Sequence, residues 1–296
     1  MRDRGRRRNG FERHAGPRRE KPHEPPQLLS PILRWAGGKQ QLVSQLTAFL
    51  PRDVTNRVYR EPFLGAGCLF FAVQPEKAVL SDANEHLIRC YEFVRDQAPL
   101  VARYLRRYAA MTSEKYYYEV RRIYNRLKFS APQAARFIYL NKTCFNGIFR
   151  VNREGTFNVP YGWKNPPAIP SVEHLRRVSA VLKRATLRPE PFGQALALAS
   201  TGDFVYLDPP YPPLNGVANF RHYTMDRFNP EDQKKLAATV RELDARGCLV
   251  MMSNADIELI RSLYKGFHIT SLPVRRFVTC KAKKGMVTEL IITNYP

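Results

Sequence analysis

Two short, unbroken apolar runs constrain this chain most: residues 203–207 (DFVYL) and 248–253 (CLVMMS). Runs of that length, bounded by turn residues, read as strands buried on both faces. Between them lies a helix signal. Asn229 stands as N-cap, Pro230 takes the first helical position, and Glu231 and Asp232 fill the first turn. Leu236, Val240 and Leu243 then form an apolar stripe. A buried strand, a helix and a second buried strand predict a mostly parallel α/β sheet. Residues 58–61 and 78–81 read as two more strands. The apolar stretches 267–272 and 286–293 have no helix between them, which predicts an antiparallel hairpin at the sheet edge.

Residues 84–182 break the alternation and read as mostly helical, with Val172, Leu175, Val178 and Leu182 on one stripe. This predicts a catalytic sheet domain in two pieces, 28–90 and 183–296, around a helical insertion at 91–182. Residues 1–27 are rich in Arg, Gly and Pro and read as a disordered basic tail.

Charge narrows the partners. Lys and Arg number 48 against 26 acids, a net of +22. Residues 1–30 hold only +5 of that, so the folded body is itself basic. Such an excess favours a polyanion, because each neutralised phosphate releases counterions. Residues 103–128 carry eight basic groups interleaved with tyrosines. That pattern serves a phosphate-gripping surface or a solvated helix face over an aromatic core. No apolar run approaches the roughly 20 residues that span a bilayer. The N-terminus lacks the apolar core of a secretory signal. Five scattered cysteines form no C-x-x-C pair, which excludes a complete disulfide framework and the common zinc ribbons. The expectation is a cytoplasmic, monomeric protein without metal or membrane.

Three constellations carry chemistry. Glu61-Pro62-Phe63-Leu64-Gly65-Ala66-Gly67 follows a strand, and G-x-G there lets a ligand approach the backbone. Phe70 occupies the place of the third glycine of a dinucleotide fingerprint, which argues against a pyrophosphate. Asp82 ends the next strand, where a carboxylate can accept both hydroxyls of a ribose. A nucleoside without a pyrophosphate suggests S-adenosylmethionine. The second constellation is Asp208-Pro209-Pro210-Tyr211, leaving the carboxyl end of a buried strand. Its prolines contribute no N–H groups, so the loop offers acceptors followed by an aromatic ring. That suits an amino group on a flat conjugated ring. The third is Arg34-Trp35-Ala36-Gly37-Gly38-Lys39. It lacks the spacing of a P-loop, and reads either as a ligand grip or as a helix start with a snorkelling lysine.

With these motifs in this order, the chain from about residue 31 onward resembles the Dam-type DNA adenine-N6 methyltransferases. Ser81-Asp82-Ala83-Asn84 adds to the likeness, as do Ala218-Asn219-Phe220 and Val274-Arg275-Arg276. The segment from Tyr139 through Phe145-Asn146-Gly147 to Pro160-Tyr161-Gly162 is similar to that family's DNA-recognition block. The resemblance implies a Rossmann-like S-adenosylmethionine-dependent methyltransferase sheet with a helical DNA-recognition insertion. Its implied substrate is double-stranded DNA, and association with the nucleoid would follow. Asp208, Pro209, Pro210 and Tyr211 would then be catalytic. Trp35, Gly37, Gly38, Lys39, Glu61, Phe63, Gly65, Gly67, Asp82, Asn84 and Asp208 would surround the cofactor. Arg34, Lys142, Phe145, Asn146, Ile148, Arg150 and Pro160 would meet the DNA, in GATC, with the target base flipped out. Arg34 and Phe145 depart from the family's commoner Lys and Tyr while keeping the chemistry. RNA adenine, cytosine N4 and protein glutamine offer similar amino groups, and the recognition block argues against them.

Overall fold

A computed structural model describes residues 29–163, 166–212, 228–276 and 285–296. The basic tail, Ala218-Asn219-Phe220 and the side chains of Arg275 and Arg276 lie outside that description.

Among the described residues, seven strands form one sheet: β1 (Val58–Glu61), β2 (Lys77–Ser81), β3 (Ala185–Arg188), β4 (Phe204–Leu207), β5 (Leu249–Ala255), β6 (His268–Arg276) and β7 (Gly285–Thr293). Their order is β3-β2-β1-β4-β5-β7-β6. The first five are parallel, and β7 runs antiparallel between β5 and β6. The hairpin expected from the two late apolar stretches is therefore present at the edge. The expected strand boundaries hold within a residue or two, apart from a longer end on β6. β3 was not anticipated. It has four residues, and Thr186 and Arg188 interrupt its apolar pattern, as suits the outermost strand of a sheet.

Helices cover both faces. On one lie α1 (Val43–Thr47), α2 (Cys68–Val73), α3 (Glu85–Ala110), α4 (Glu114–Tyr124), α5 (Ala131–Thr143) and α6 (Val172–Leu182). On the other lie α7 (Phe192–Ala197), α8 (Pro230–Ala245) and α9 (Glu258–Leu263). The start of α8 matches its sequence signal: Asn229 accepts from the Glu231 and Asp232 amides, and Asp232 answers as the capping box.

The helical block is not wholly helical. Between α5 and α6 the chain folds into a loop pinned by bridges Cys144–Tyr161 and Val151–Phe157, where Gly147, Gly155 and the Pro160–Gly162 step break helical continuity. The block also shares its core with the sheet. Leu105, Tyr117 and Ile138 belong to the same buried cluster as Tyr59, Leu80 and Phe204. α3 runs continuously through residue 90, kinking at Gln97 just before Pro99. Pro99 cannot donate to the Arg95 carbonyl one turn back. The Ser179 hydroxyl of α6 donates to that carbonyl instead, at 2.6 Å, so the kink is held by the neighbouring helix. Among the described residues, no helix is long and apolar enough to cross a membrane.

This topology decides where a ligand can sit. The chain leaves β1 toward β2 and β3, then returns to β4 on the other side of β1. Strand order reverses between β1 and β4, and the crevice at their carboxyl ends is where open α/β sheets bind ligands. Glu61 ends one of these strands and Asp208 follows the other.

Candidate active site

The turn after β1 is tight because its glycines permit it. Gly65 (φ +49°) and Gly67 (φ +67°) are left-handed, and a Cβ on Gly65 would lie 2.8 Å from the Trp35 ring. Asp82 ties this turn to β2. One carboxylate oxygen accepts the Gly65 amide at 3.0 Å, and the other accepts the Asn84 amide at 2.9 Å. Burial raises the Asp82 carboxyl above its ordinary range, against the pull of these two amides. Asn84, expected near the cofactor, uses its side-chain oxygen to cap α3. Phe70, at the missing third glycine, is fully buried and packs on Tyr59. Phe63 stacks on Phe192 at 5.5 Å between centroids and meets Phe228 edge-on.

Glu61 is buried and accepts the Tyr59 hydroxyl at 2.8 Å. Burial pushes its carboxyl up to about 8, opposed by the Tyr59 hydrogen bond and reinforced by nearby Asp208 and Asp82. The folded protein thus holds this proton to higher pH than the unfolded chain, whose carboxyl titrates near 4.5. The stability it contributes is complete below that value and is lost as pH rises toward about 8. Glu61→Gln lacks this titration. Its melting temperature relative to wild type is expected to rise steadily across that window, and a constant difference in thermal scans would contradict it.

Across the crevice, Asp208 leaves β4 into a dense polar cluster. The Lys39 ammonium lies 2.6 Å from its Oδ1 and also donates to the Gly37 carbonyl at 2.8 Å. Lys39 is only 5% exposed, so it neither snorkels nor stands open for a ligand carboxylate; a lysine this buried needs an anion beside it. The Ser253 hydroxyl donates to Asp208 Oδ1 at 2.9 Å and lies 3.0 Å from the Tyr206 hydroxyl. Burial raises the Asp208 carboxyl, while Lys39 and Ser253 pull it down. A carboxylate has about four lone-pair positions, so Asp208 keeps acceptor capacity beyond these contacts. The Tyr211 ring lies over the Lys39 ammonium at 4.6 Å, and its hydroxyl donates to Glu289 at 2.8 Å. Gln233 donates to the Pro210 carbonyl at 3.1 Å and accepts from Asn254 at 3.2 Å.

Ser253, Asn254, Gln233 and Glu289 complete the cluster without a motif to announce them. Two signals were available. Ser253-Asn254 ends a buried run at the sheet's carboxyl edge, and Glu289 is a charge inside the apolar stretch of β7.

A third group borders the crevice. The Asn141 side chain grips Arg34 at both its amide and its carbonyl, 2.8 Å each, and donates to the Gly147 carbonyl at 3.1 Å. The Arg34 side chain packs on Gly147, where a Cβ would come within 2.7 Å of it. Trp35 stacks on Phe149 at 5.9 Å, joining the glycine turn to the helical block. The Phe145 amide donates to the Pro160 carbonyl at 2.9 Å, while the Phe145 and Ile148 side chains and Pro160 are exposed. Asn146 is left-handed at φ +54°. Trp163, 74% exposed, lies beside Tyr161 on the same loop. The Arg150 guanidinium is held by Asn158 at 2.6 Å. Lys142 lies within electrostatic reach of His174 on α6. The structure thus brings Arg34, Phe145, Asn146, Ile148 and Pro160 to one loop region, with the Arg150 guanidinium anchored on Asn158.

A doubly wound sheet with this strand order and an acidic, glycine-lined crevice at its switch point is a Rossmann-like methyltransferase fold. Residues 35–277 match the family of D12 class N6 adenine-specific DNA methyltransferases. The Type II methyltransferase M.MjaIII of Methanocaldococcus jannaschii is 38% identical over 287 residues, spanning 90% of this chain and 99% of the relative. The DNA adenine methylase of Escherichia coli is 34% identical over 270 residues, spanning 90% and 95%. That of Vibrio cholerae is 32% identical over 269 residues, spanning 90% and 96%. The chain belongs to this family and is an adenine-specific DNA methyltransferase.

Proposed function

We propose that the enzyme uses S-adenosylmethionine to methylate the N6 amino group of an adenine flipped out of duplex DNA, in the site GATC. The observation that carries this reading is the Asp208-Pro-Pro-Tyr loop facing the Gly65 turn across the β1/β4 crevice.

The residues present suit this cofactor. Asp82, already tied to the turn, suits ribose hydroxyls, and the left-handed Gly65 and Gly67 keep that turn tight. Phe63, with Phe192 and Phe228 beside it, supplies an aromatic wall for a purine. Trp35, Gly37, Gly38, Lys39, Glu61 and Asn84 complete the surroundings. When bound, S-adenosylmethionine supplies an electrophilic methyl on a sulfonium.

The adenine amino nitrogen is a poor nucleophile because its lone pair is delocalised. Asp208 and the Pro209 carbonyl would accept its two N–H bonds, drawing the lone pair out of conjugation. Tyr211 would stack on the base, with Pro210 stiffening the step to it. These acceptors stand where positive charge grows, and being fixed they need no reorganisation. Burial raises Asp208, which equips its carboxylate to take the proton the nitrogen sheds after attack.

The target atom is inside the duplex, so the base must leave the stack. Phe145 would wedge into the gap and Asn146 would face the orphaned thymine. Arg34 and Arg150 suit guanine edges, Ile148 and Pro160 suit thymine methyls, and Lys142 suits the backbone. Arg34→Ala is expected to cost about 1–3 kcal/mol and to relax the choice only at the guanine before the target adenine. Methylation rates on single-base variants of GATC at two salt concentrations read this. A loss that is uniform across variants, with a lower salt slope, would make Arg34 a phosphate clamp.

The flipping step is tested with 2-aminopurine at the target position. Binding to GATC duplex with cofactor should raise its fluorescence by removing stacked neighbours. No rise on GATC, or an equal rise on permuted sites, overturns the reading.

A further inference from the structure

We infer that Glu289 is a positioning residue for methyl transfer: from β7 its carboxylate holds the hydroxyl of Tyr211 and so fixes the long axis of the ring in the acceptor loop. The inference rests on the proposed role of Tyr211 against the target base.

Glu289 is 3% exposed and is followed along β7 by Leu290, Ile291 and Ile292, all buried. Its register partners are Ala255 on β5 and Leu272 on β6. A carboxylate at such a place is costly unless it is hydrogen-bonded. Its bond to the Tyr211 hydroxyl, 2.8 Å, is of the strong charge-assisted kind.

The geometry gives that bond a purpose. Tyr211 belongs to the loop after β4, whereas Glu289 lies on β7, with β5 between them in the sheet. The contact therefore ties the loop across an intervening strand. Two neighbouring loop residues are held from other elements: Asp208 by Ser253 of β5, and Pro210 by Gln233 of α8. The ring itself rests on the Lys39 ammonium at 4.6 Å. A cation under its face opposes rotation of the ring about its Cβ–Oη axis but leaves that axis free to swing. An anion at the hydroxyl holds the far end of the axis. A ring that is to lie parallel to an extruded base needs both.

The test is a double-mutant cycle on the full chain, read by single-turnover methylation, cofactor titration and 2-aminopurine fluorescence at the target position. Glu289→Leu and Tyr211→Phe are each expected to slow methyl transfer about tenfold, the scale of one hydrogen bond to a charged group. The double variant should lose much less than the product of the two single losses, because both substitutions remove the same Tyr211–Glu289 contact. Glu289→Gln, whose amide oxygen still accepts the hydroxyl, should recover most of the rate. Cofactor affinity should not move, and 2-aminopurine emission should differ from wild type in both slow variants. Multiplicative losses in the double variant would overturn the inference, as would Glu289→Gln being as slow as Glu289→Leu. Tyr211→Ala separates the two levels. If it transfers at the wild-type rate, the stacking role of Tyr211 fails. If it is crippled while Glu289 and Tyr211→Phe act independently, the inference about Glu289 alone fails.

Discussion

Asp208→Ala is expected to slow methyl transfer by roughly two to three orders of magnitude, the usual cost of deleting one preorganised polar group at the reacting centre. Cofactor and duplex affinities should change far less. The variant has a second defect that must be separated from the first. Lys39 is 5% exposed and lies 2.6 Å from the Asp208 carboxylate, so deleting the acid strands a buried ammonium. Removing one partner of such a pair costs about 3–5 kcal/mol of stability. Lys39→Met combined with Asp208→Ala removes the stranded charge and should restore most of that stability. It should not restore the rate. Denaturant unfolding beside single-turnover methylation reads both effects. A double variant that regained activity would make Asp208 a structural counter-ion.

Gly162→Ala should damage recognition while sparing the cofactor. A Cβ at this position would lie 2.5 Å from the Cys144 carbonyl oxygen and 2.9 Å from the Phe145 nitrogen. These are backbone atoms, so no side-chain rotation relieves the clash. The same segment carries the bonds from the Gly162 amide to the Thr143 carbonyl and from the Phe145 amide to the Pro160 carbonyl. Forcing the two strands apart separates Phe145 from Pro160, the residues assigned to wedge and thymine readout. Overpacking of this kind costs about 1–3 kcal/mol of stability. Affinity for GATC duplex should fall at least about tenfold, since each 1.4 kcal/mol of misplaced contact is a factor of ten. Calorimetric titration of cofactor should be unchanged, because the Gly65–Asp82 link does not involve this loop. Loss of cofactor binding would show the loop to be a general folding element.

What could be read in advance divides along physical lines. Local signals were legible. Val58–Glu61 appeared as a strand with its observed ends, and Asn229 and Pro230 fixed the start of α8 because capping is decided within a few residues. The late hairpin was visible because two apolar stretches flank a connection with no helical pattern. Contacts between distant segments were not legible. Lys39 and Asp208 are 169 residues apart, and nothing near either announces the other. Tyr211 and Glu289 are 78 apart, although a lone acid in an apolar strand was a sign that some partner had to exist. β3 was missed because four alternating residues at a sheet edge carry too little pattern. The loop from Cys144 to Tyr161 carries little local signal because its fold depends on Asn141, Asn125 and Arg121 reaching in from neighbouring helices.

The central claim is most directly tested by giving the enzyme S-adenosylmethionine with an isotopically labelled methyl group and duplexes carrying GATC or each of its permutations. The DNA is then digested and its nucleosides are weighed by mass spectrometry. The expected product is labelled N6-methyladenine, confined to the GATC duplex and formed roughly two to three orders of magnitude more slowly with Asp208→Ala. Labelled N4-methylcytosine, or N6-methyladenine spread evenly over the permuted duplexes, would contradict the proposed chemistry or the proposed site.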